Sequence, residues 1–167
     1  ISGIGAAAGS RWYSQLIRIC QERGAVKDSD FPEVFLHSIP AKWMDEKGIS
    51  DKDGAIKELS SSVEMLNRCG AEVIVIACNT VHVFHEHLQS LSKAVIFNMI
   101  RIAAESLNGT SRAGILSSSF TRSSGLYHDA LKARGIEICS ATDEQQGFID
   151  TMIDRAISGN TGVSEQR

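Results

Sequence analysis

At 167 residues, the chain is long enough for one ordinary domain or two small ones. Apolar residues make up 43% and charged residues 22%, a globular balance, and the formal charge of −3 leaves no basic footprint for nucleic acid or a membrane surface. No apolar run is long enough to cross a bilayer, and no segment resembles a signal peptide.

The chain opens on ISGIG, which reads as the second half of a strand, so residues are expected before Ile1. Gly3, Gly5 and Ala8 fit a dinucleotide fingerprint loosely, with backbone N–H groups available to an anion. Trp12, Leu16, Ile19 and Cys20 predict a helix over 10–21, with Ser10 as its cap and Gly24 as its stop. Residues 33–38 predict a strand, and Ile39-Pro40 turns the chain out of it. That strand ends in His37-Ser38-Ile39 and offers no acid to hold a ribose, so the nucleotide reading loses its main support. A carboxylate bound by the same N–H groups needs no such acid.

The polar stretch 41–53 reads as a surface loop or mobile flap. Ile56, Leu59, Val63 and Leu66 put one apolar face on a helix over 52–68, closed by Gly70. The run AEVIVI at 71–76 is mostly apolar and β-branched, and predicts a central parallel strand buried on both faces. It delivers Cys78, Asn79 and Thr80 to the strand's carboxyl end, directly before a helix predicted over 81–91. Open α/β sheets bind ligands at this edge, and helix N-terminal N–H groups can favour a thiolate there. The plainer reading of a lone cysteine is a small buried hydrophobe, but the polar pair and the strand-to-helix switch favour chemistry.

His82, His85 and His87 invite a metal reading, but only the first two share a helical face and no other ligand cluster joins them. His85 and His87 read as solvated. His82 is placed either to modulate the thiol or to cap the helix. A strand near 94–97, a helix over 99–107 and the Asn108-Gly109 break follow. The pattern then restarts, with a strand at 113–116, a hydroxyl-rich turn over 117–123 and a helix to Ala133. A strand over 136–139 and a helix over 144–157 complete it, and the last ten residues show no apolar period. The turn's hydroxyls either shape the turn and cap its helix or face a ligand.

This alternation predicts an α/β protein. It reads as two flavodoxin-like (Rossmann-like) parallel-sheet units, 1–98 and 99–167, related by pseudo-symmetry, the second incomplete. The natural ligand cleft lies between two such units. Cys20, Cys69, Cys78 and Cys139 show no paired short spacing, which suits free thiols in a reducing cytoplasm. Cys20 and Cys69 read as helix packing, while Cys139 sits at a strand end.

Together these residues resemble the aspartate/glutamate racemase family, amino-acid racemases that work without pyridoxal phosphate. ISGIGAAAGS with Trp12-Tyr13 is similar to the family's glycine-rich first turn, and IACNTVH to its first catalytic motif. The segment 119–127, SFTRSSGLY, and the stretch from Gly135 onward are similar to its second half. Ala6, Gly9 and Phe120 depart from residues common in the family, at proline, threonine or serine, and glycine positions respectively.

The resemblance implies a cofactor-independent, metal-free racemisation in which Cys78 is one of two thiols on opposite faces of the α-carbon. Ile4, Gly5, Asn79, Thr80, Ser119 and Thr121 are its implied substrate-binding residues. Aspartate or glutamate is the implied substrate, and a homodimer the implied assembly. The family's second cysteine has no counterpart here, since Cys139 matches a variable strand, and a chain cut short at its C-terminus is expected. Related hydantoin racemases, arylmalonate decarboxylases and maleate isomerases share the fold, and a non-catalytic amino-acid-binding relative is the alternative from another class.

Overall fold

Residues 1–45 and 48–159 are described by a computed structural model. The first helix, α1, spans Ala6–Glu22 and begins four residues before the sequence pattern places it. Its N-cap is Gly5 in the left-handed region (φ 83°), so the chain reverses straight out of the first extended segment. Ala6, Ala7 and Ala8 then extend the helix toward its start, because alanine is the best helix former. Ser10 therefore lies inside the helix and caps nothing.

Within the stretch 41–53, read as a surface loop, two short strands pair antiparallel, and Ala41 and Trp43 ahead of them are buried. The strands are β1 (Met44–Asp45) and β2 (Gly48–Ile49). Trp43 is 5% exposed and donates its indole N–H to Glu58. The backbone N–H of Asp51 donates to the Trp43 carbonyl at 3.2 Å, closing the neck. The Asp51 carboxylate accepts from the Gly54 N–H and caps α2 (Lys52–Arg68), which matches the predicted span.

Strand β3 (Val73–Ile74) pairs in parallel with β4 (Val95–Ile96). On its other side the same strand bonds the chain start, Ile1 N to the Val75 carbonyl at 2.7 Å and Ala77 N to the Ile1 carbonyl at 3.0 Å. Ser2 in turn bridges Ser38 in parallel. Four extended segments thus lie side by side in the order 37–39, 1–2, 73–77, 95–97. This is the 2-1-3-4 order of a flavodoxin-like sheet, whose switch point falls between the first and third strands.

Ile74, Ile76 and Ile96 are at most 2% exposed, as are Leu59 and Val63 of α2. The alternate residues Val73, Val95 and Phe97 are 50%, 58% and 44% exposed. The central strand is buried on one face only, against the expectation of two.

After β3 comes a 3-10 turn over Thr80–Phe84, then α3 (His85–Leu91), where the sequence predicts one helix. The second half holds α4 (Met99–Ser106), β5 (Arg112–Gly114), α5 (Ser119–Ser123), α6 (Leu126–Lys132), β6 (Glu137–Cys139) and α7 (Asp143–Ile157). Strands β5 and β6 pair in parallel. The helix expected to run from the hydroxyl-rich turn to Ala133 is broken at Ser124-Gly125.

The chain divides into two compact units, Ile1–Trp43 with Asp51–Phe97, and Met44–Ser50 with Asn98–Arg167. The core of the second is Ala104, Leu131 and Ile136, with Ile115 and Ile138 packed against it. Within that unit Gly48 lies against Phe120, with no room between them for a side chain on the hairpin. Of the ten final residues, 160–167 lie outside the described residues.

Candidate active site

Cys78 leaves the carboxyl end of the third-strand segment, next to the point where Gly3, Ile4 and Gly5 leave the first. In an open sheet of this strand order, ligands bind where the connections of adjacent strands run to opposite sides of the sheet. Cys78 is partly exposed. Ile4 is buried at 5% exposure, so this position can offer a ligand its backbone rather than its side chain. Gly5 spends its carbonyl on the Ala8 and Gly9 N–H groups, at 3.0 and 3.4 Å.

Two influences act on the Cys78 sulfur in opposite directions. Burial raises the thiol pKa, while the N–H groups of Val81 and Thr80 and the Thr80 hydroxyl, all directed at the sulfur, lower it. Burial wins, and the net shift is upward. The sequence reading expected the helix start to draw the thiol toward neutrality. The donors are present, but they belong to a five-residue 3-10 turn rather than a long helix and do not repay the desolvation.

His82 is 3% exposed and its Nδ1 lies 2.7 Å from the Cys78 carbonyl oxygen. A carbonyl only accepts, so Nδ1 carries the proton. Burial is the largest influence on this imidazole and depresses its pKa, with the charge of His85 acting in the same direction. The carbonyls of Cys78, Phe97 and Asn79 oppose that shift without reversing it.

His85, expected to be solvated, is half-buried. Its Nε2 donates to the Ile96 carbonyl at 2.9 Å, and its ring stacks on His82 with centroids 6.0 Å apart and planes 11° from parallel. The i, i+3 spacing was the available signal for that pairing. His87 is exposed as read.

In the second unit the hydroxyl-rich turn is mostly occupied with its own architecture. Ser118 caps α5, its Oγ accepting from the Thr121 N–H at 3.3 Å and donating to Thr121 Oγ1 at 3.2 Å. Ser119 gives its N–H and hydroxyl to the two oxygens of Asp150, at 2.9 and 2.5 Å. Desolvation pushes the Asp150 carboxyl up, but the Ser119 and Gln146 hydrogen bonds and the Arg122 charge outweigh it and hold the pKa low.

Gln146, which the sequence did not single out, is 5% exposed and donates from Nε2 to the Ser117 carbonyl at 2.9 Å and to Asp150 at 3.1 Å. Its only sequence signal is a polar residue on the inward face of a predicted helix. Thr121 is 3% exposed and lines a cleft at the carboxyl ends of β5 and β6 with Ser117, Arg122, Tyr127, His128 and Cys139. Cys69, read as packing, is the exposed C-cap of α2.

The sequence-predicted residues therefore fall into two sets. Ile4, Gly5, Cys78, Asn79, Thr80 and His82 gather at the sheet edge of the first unit, and Ser119 and Thr121 belong to the second. Among the described residues no helix is long and apolar enough to cross a membrane, and no three His, Cys, Asp or Glu side chains cluster as metal ligands would.

The chain is similar to the broad specificity amino-acid racemase RacX of Bacillus subtilis (strain 168), at 28% identity over 151 residues. That match covers 87% of this chain and 65% of the relative, so the chain spans about two thirds of the curated protein's length. It shares its fold with an aspartate racemase homologue from Pyrococcus horikoshii OT3, at a TM-score of 0.78 and 23% identity over 95% of this chain and 70% of that one. It shares it also with Picrophilus torridus aspartate racemase, at 0.76 and 22% over 96% and 68%. The model of the Asp/Glu/Hydantoin racemase family matches residues 1–164, and with the strand-end cysteine motif inside that span the chain belongs to this family.

Proposed function

We propose that the full-length protein is a pyridoxal-phosphate-independent amino-acid racemase in which Cys78 serves one face of the substrate α-carbon. Family membership and the similarity to an amino-acid racemase support the reaction class. The observation that carries the residue assignment is the sulfur's placement: at the switch-point strand end, partly exposed, with two N–H groups and a hydroxyl directed at it.

In the forward step the Cys78 thiolate takes the α-proton. The C–H bond breaks, an S–H bond forms, and the electron pair moves onto the α-carbon and its carboxylate. A thiol on the opposite face then returns a proton to carbon and the centre inverts. Without a cofactor to spread that charge, the carboxylate must be met by preorganised donors. Asn79 and the backbone at Ile4 and Gly5 are the proposed set in the first unit, where the Thr80 N–H and hydroxyl are directed at the sulfur. In the second unit Thr121 is the proposed residue, since Asp150 already holds both donors of Ser119. Aspartate or glutamate is the proposed substrate.

The test uses the full-length protein in D₂O with L-aspartate and L-glutamate, following α-proton loss by NMR and inversion by chiral chromatography. Cys78→Ser should lower the rate on one enantiomer by about 10²–10⁴-fold, the range of a lost general base. Unchanged exchange in a folded Cys78→Ser protein would overturn the assignment. One observation favours a second reading, a non-catalytic amino-acid-binding relative: burial holds the thiol up and so favours its protonated form. That reading predicts binding with no α-deuterium incorporation in the wild type.

A further inference from the structure

We propose that His82 is a positioning residue: its Nδ1–H, bonded to the Cys78 carbonyl at 2.7 Å, fixes the turn that aims the Thr80 and Val81 N–H groups at the sulfur. The inference rests on the reading of Cys78 as the reacting thiol, but its structural core can be tested without that reading.

The argument starts from the sheet edge. Where a strand ends, its last carbonyls lose their ladder partners, and a half-buried carbonyl left without a donor is destabilising. The Cys78 carbonyl faces the β4 side, where Val95 and Phe97 donate to the Glu72 and Ile74 carbonyls, and the chain there has turned into α4 at Met99 before that ladder reaches Cys78. The chain then enters a 3-10 turn whose N-cap, Asn79, makes no side-chain cap. The imidazole four residues on holds the peptide plane between residues 78 and 79 through its Nδ1–H on the Cys78 carbonyl.

His82 can perform this task because its own place is fixed. Its backbone N–H donates to the Asn79 carbonyl at 3.0 Å and its ring is 3% exposed. The ring is backed by the stacked imidazole of His85, itself tied to Ile96 of β4. The two rings thus fasten the end of the cysteine-bearing strand and the end of its neighbour to one helical start.

Rotating the 78–79 peptide plane would swing the N–H groups of Thr80 and Val81, which follow directly in sequence, away from the sulfur. Burial would then act on the thiol with less to oppose it. His85 is the other titratable group that bears on the ring, and it stays in place in the variants below.

Side-chain geometry supplies the test. An asparagine amide nitrogen falls near the position of Nδ1, and a glutamine amide reaches near Nε2. In the full-length protein, the pH dependence of Cys78 alkylation by iodoacetamide is measured by peptide mass spectrometry for the wild type, His82→Asn and His82→Gln. Racemisation kinetics are measured in parallel.

His82→Asn should keep the alkylation midpoint within a few tenths of a pH unit of the wild type. His82→Gln should move it upward by about one unit, the order of one lost hydrogen bond to the charged form. Where turnover is measurable, kcat should fall in His82→Gln with KM little changed, and recover in His82→Asn. If both folded variants give the wild-type midpoint, or both shift alike, the positioning role is wrong. The alkylation readout needs no turnover, so an inactive wild type would count against the racemase reading and leave the Nδ1–H contact judged on its own.

Discussion

Replacing Gly9 by alanine sets two effects of opposite sign against each other, and the structure decides between them. Gly9 is interior to α1, and on helix propensity alone the change should stabilise by about 1 kcal/mol. A Cβ at this position, however, would lie 2.5 Å from Ser2 Cβ and closer still to its Oγ. The hydroxyl could rotate away, but the Ser2 Cβ could not. Ser2 is held on the sheet by its N–H to the His37 carbonyl at 2.8 Å and by its carbonyl to the Ile39 N–H at 3.0 Å.

Either the helix lifts from the sheet or the strand shifts, an overpacking cost of about 1–3 kcal/mol. The expected net effect is destabilisation by up to about 2 kcal/mol. Gly147, interior to α7 with nothing within 4 Å of its added Cβ, is the control, and Gly147→Ala should stabilise by up to about 1 kcal/mol.

Urea unfolding followed by tryptophan fluorescence reads the first substitution, because both tryptophans, Trp12 and Trp43, lie in the first unit. Hydrogen exchange of the α7 amides reads the second. Equal stabilisation by both substitutions would refute the close helix-to-strand approach at Gly9.

Two further outcomes follow from named groups. The depressed pKa of His82 means that the unfolded chain binds its proton near the ordinary 6.5 while the folded chain resists it. Stability of the first unit should therefore be complete above that value and decline as the pH falls through it toward the lower folded pKa. The acid limb should be shallower in His82→Asn, as read by urea midpoints between pH 7 and 5. At the start of α7, Thr142 accepts from the Gln145 N–H at 3.2 Å while Gln145 accepts from the Thr142 N–H at 2.9 Å. Thr142→Ala should cost about 1 kcal/mol and speed exchange at the first α7 amides, whereas a change confined to distant helices would count against the capping box.

The residues that were legible in the sequence share one property: local spacing alone constrains them. The α2 span follows from an apolar face closed by Gly70, and Cys78 follows from a β-branched run that stops at a polar triplet. What the sequence hid depends on partners far along the chain. The hairpin at 44–49 has no strand-like alternation, because its order comes from Trp43 on Glu58 and from Gly48 on Phe120. Phe120 looked like a departure in a glycine position, and in the fold it is the surface on which the hairpin rests.

The same distinction separates the two candidate sets. At Cys78 the chemistry and its support are contiguous: the sulfur, the Thr80 and Val81 N–H groups and the His82 ring all fall within five residues. At Ser119 the local pattern was equally suggestive, yet Asp150, 31 residues on, takes both of its donors. A hydroxyl-rich turn read alone cannot tell donors free for a ligand from donors already bonded. A cysteine held by its own next three residues needs no distant partner to account for its surroundings, and that makes the first unit's strand end the better place to test for a reaction.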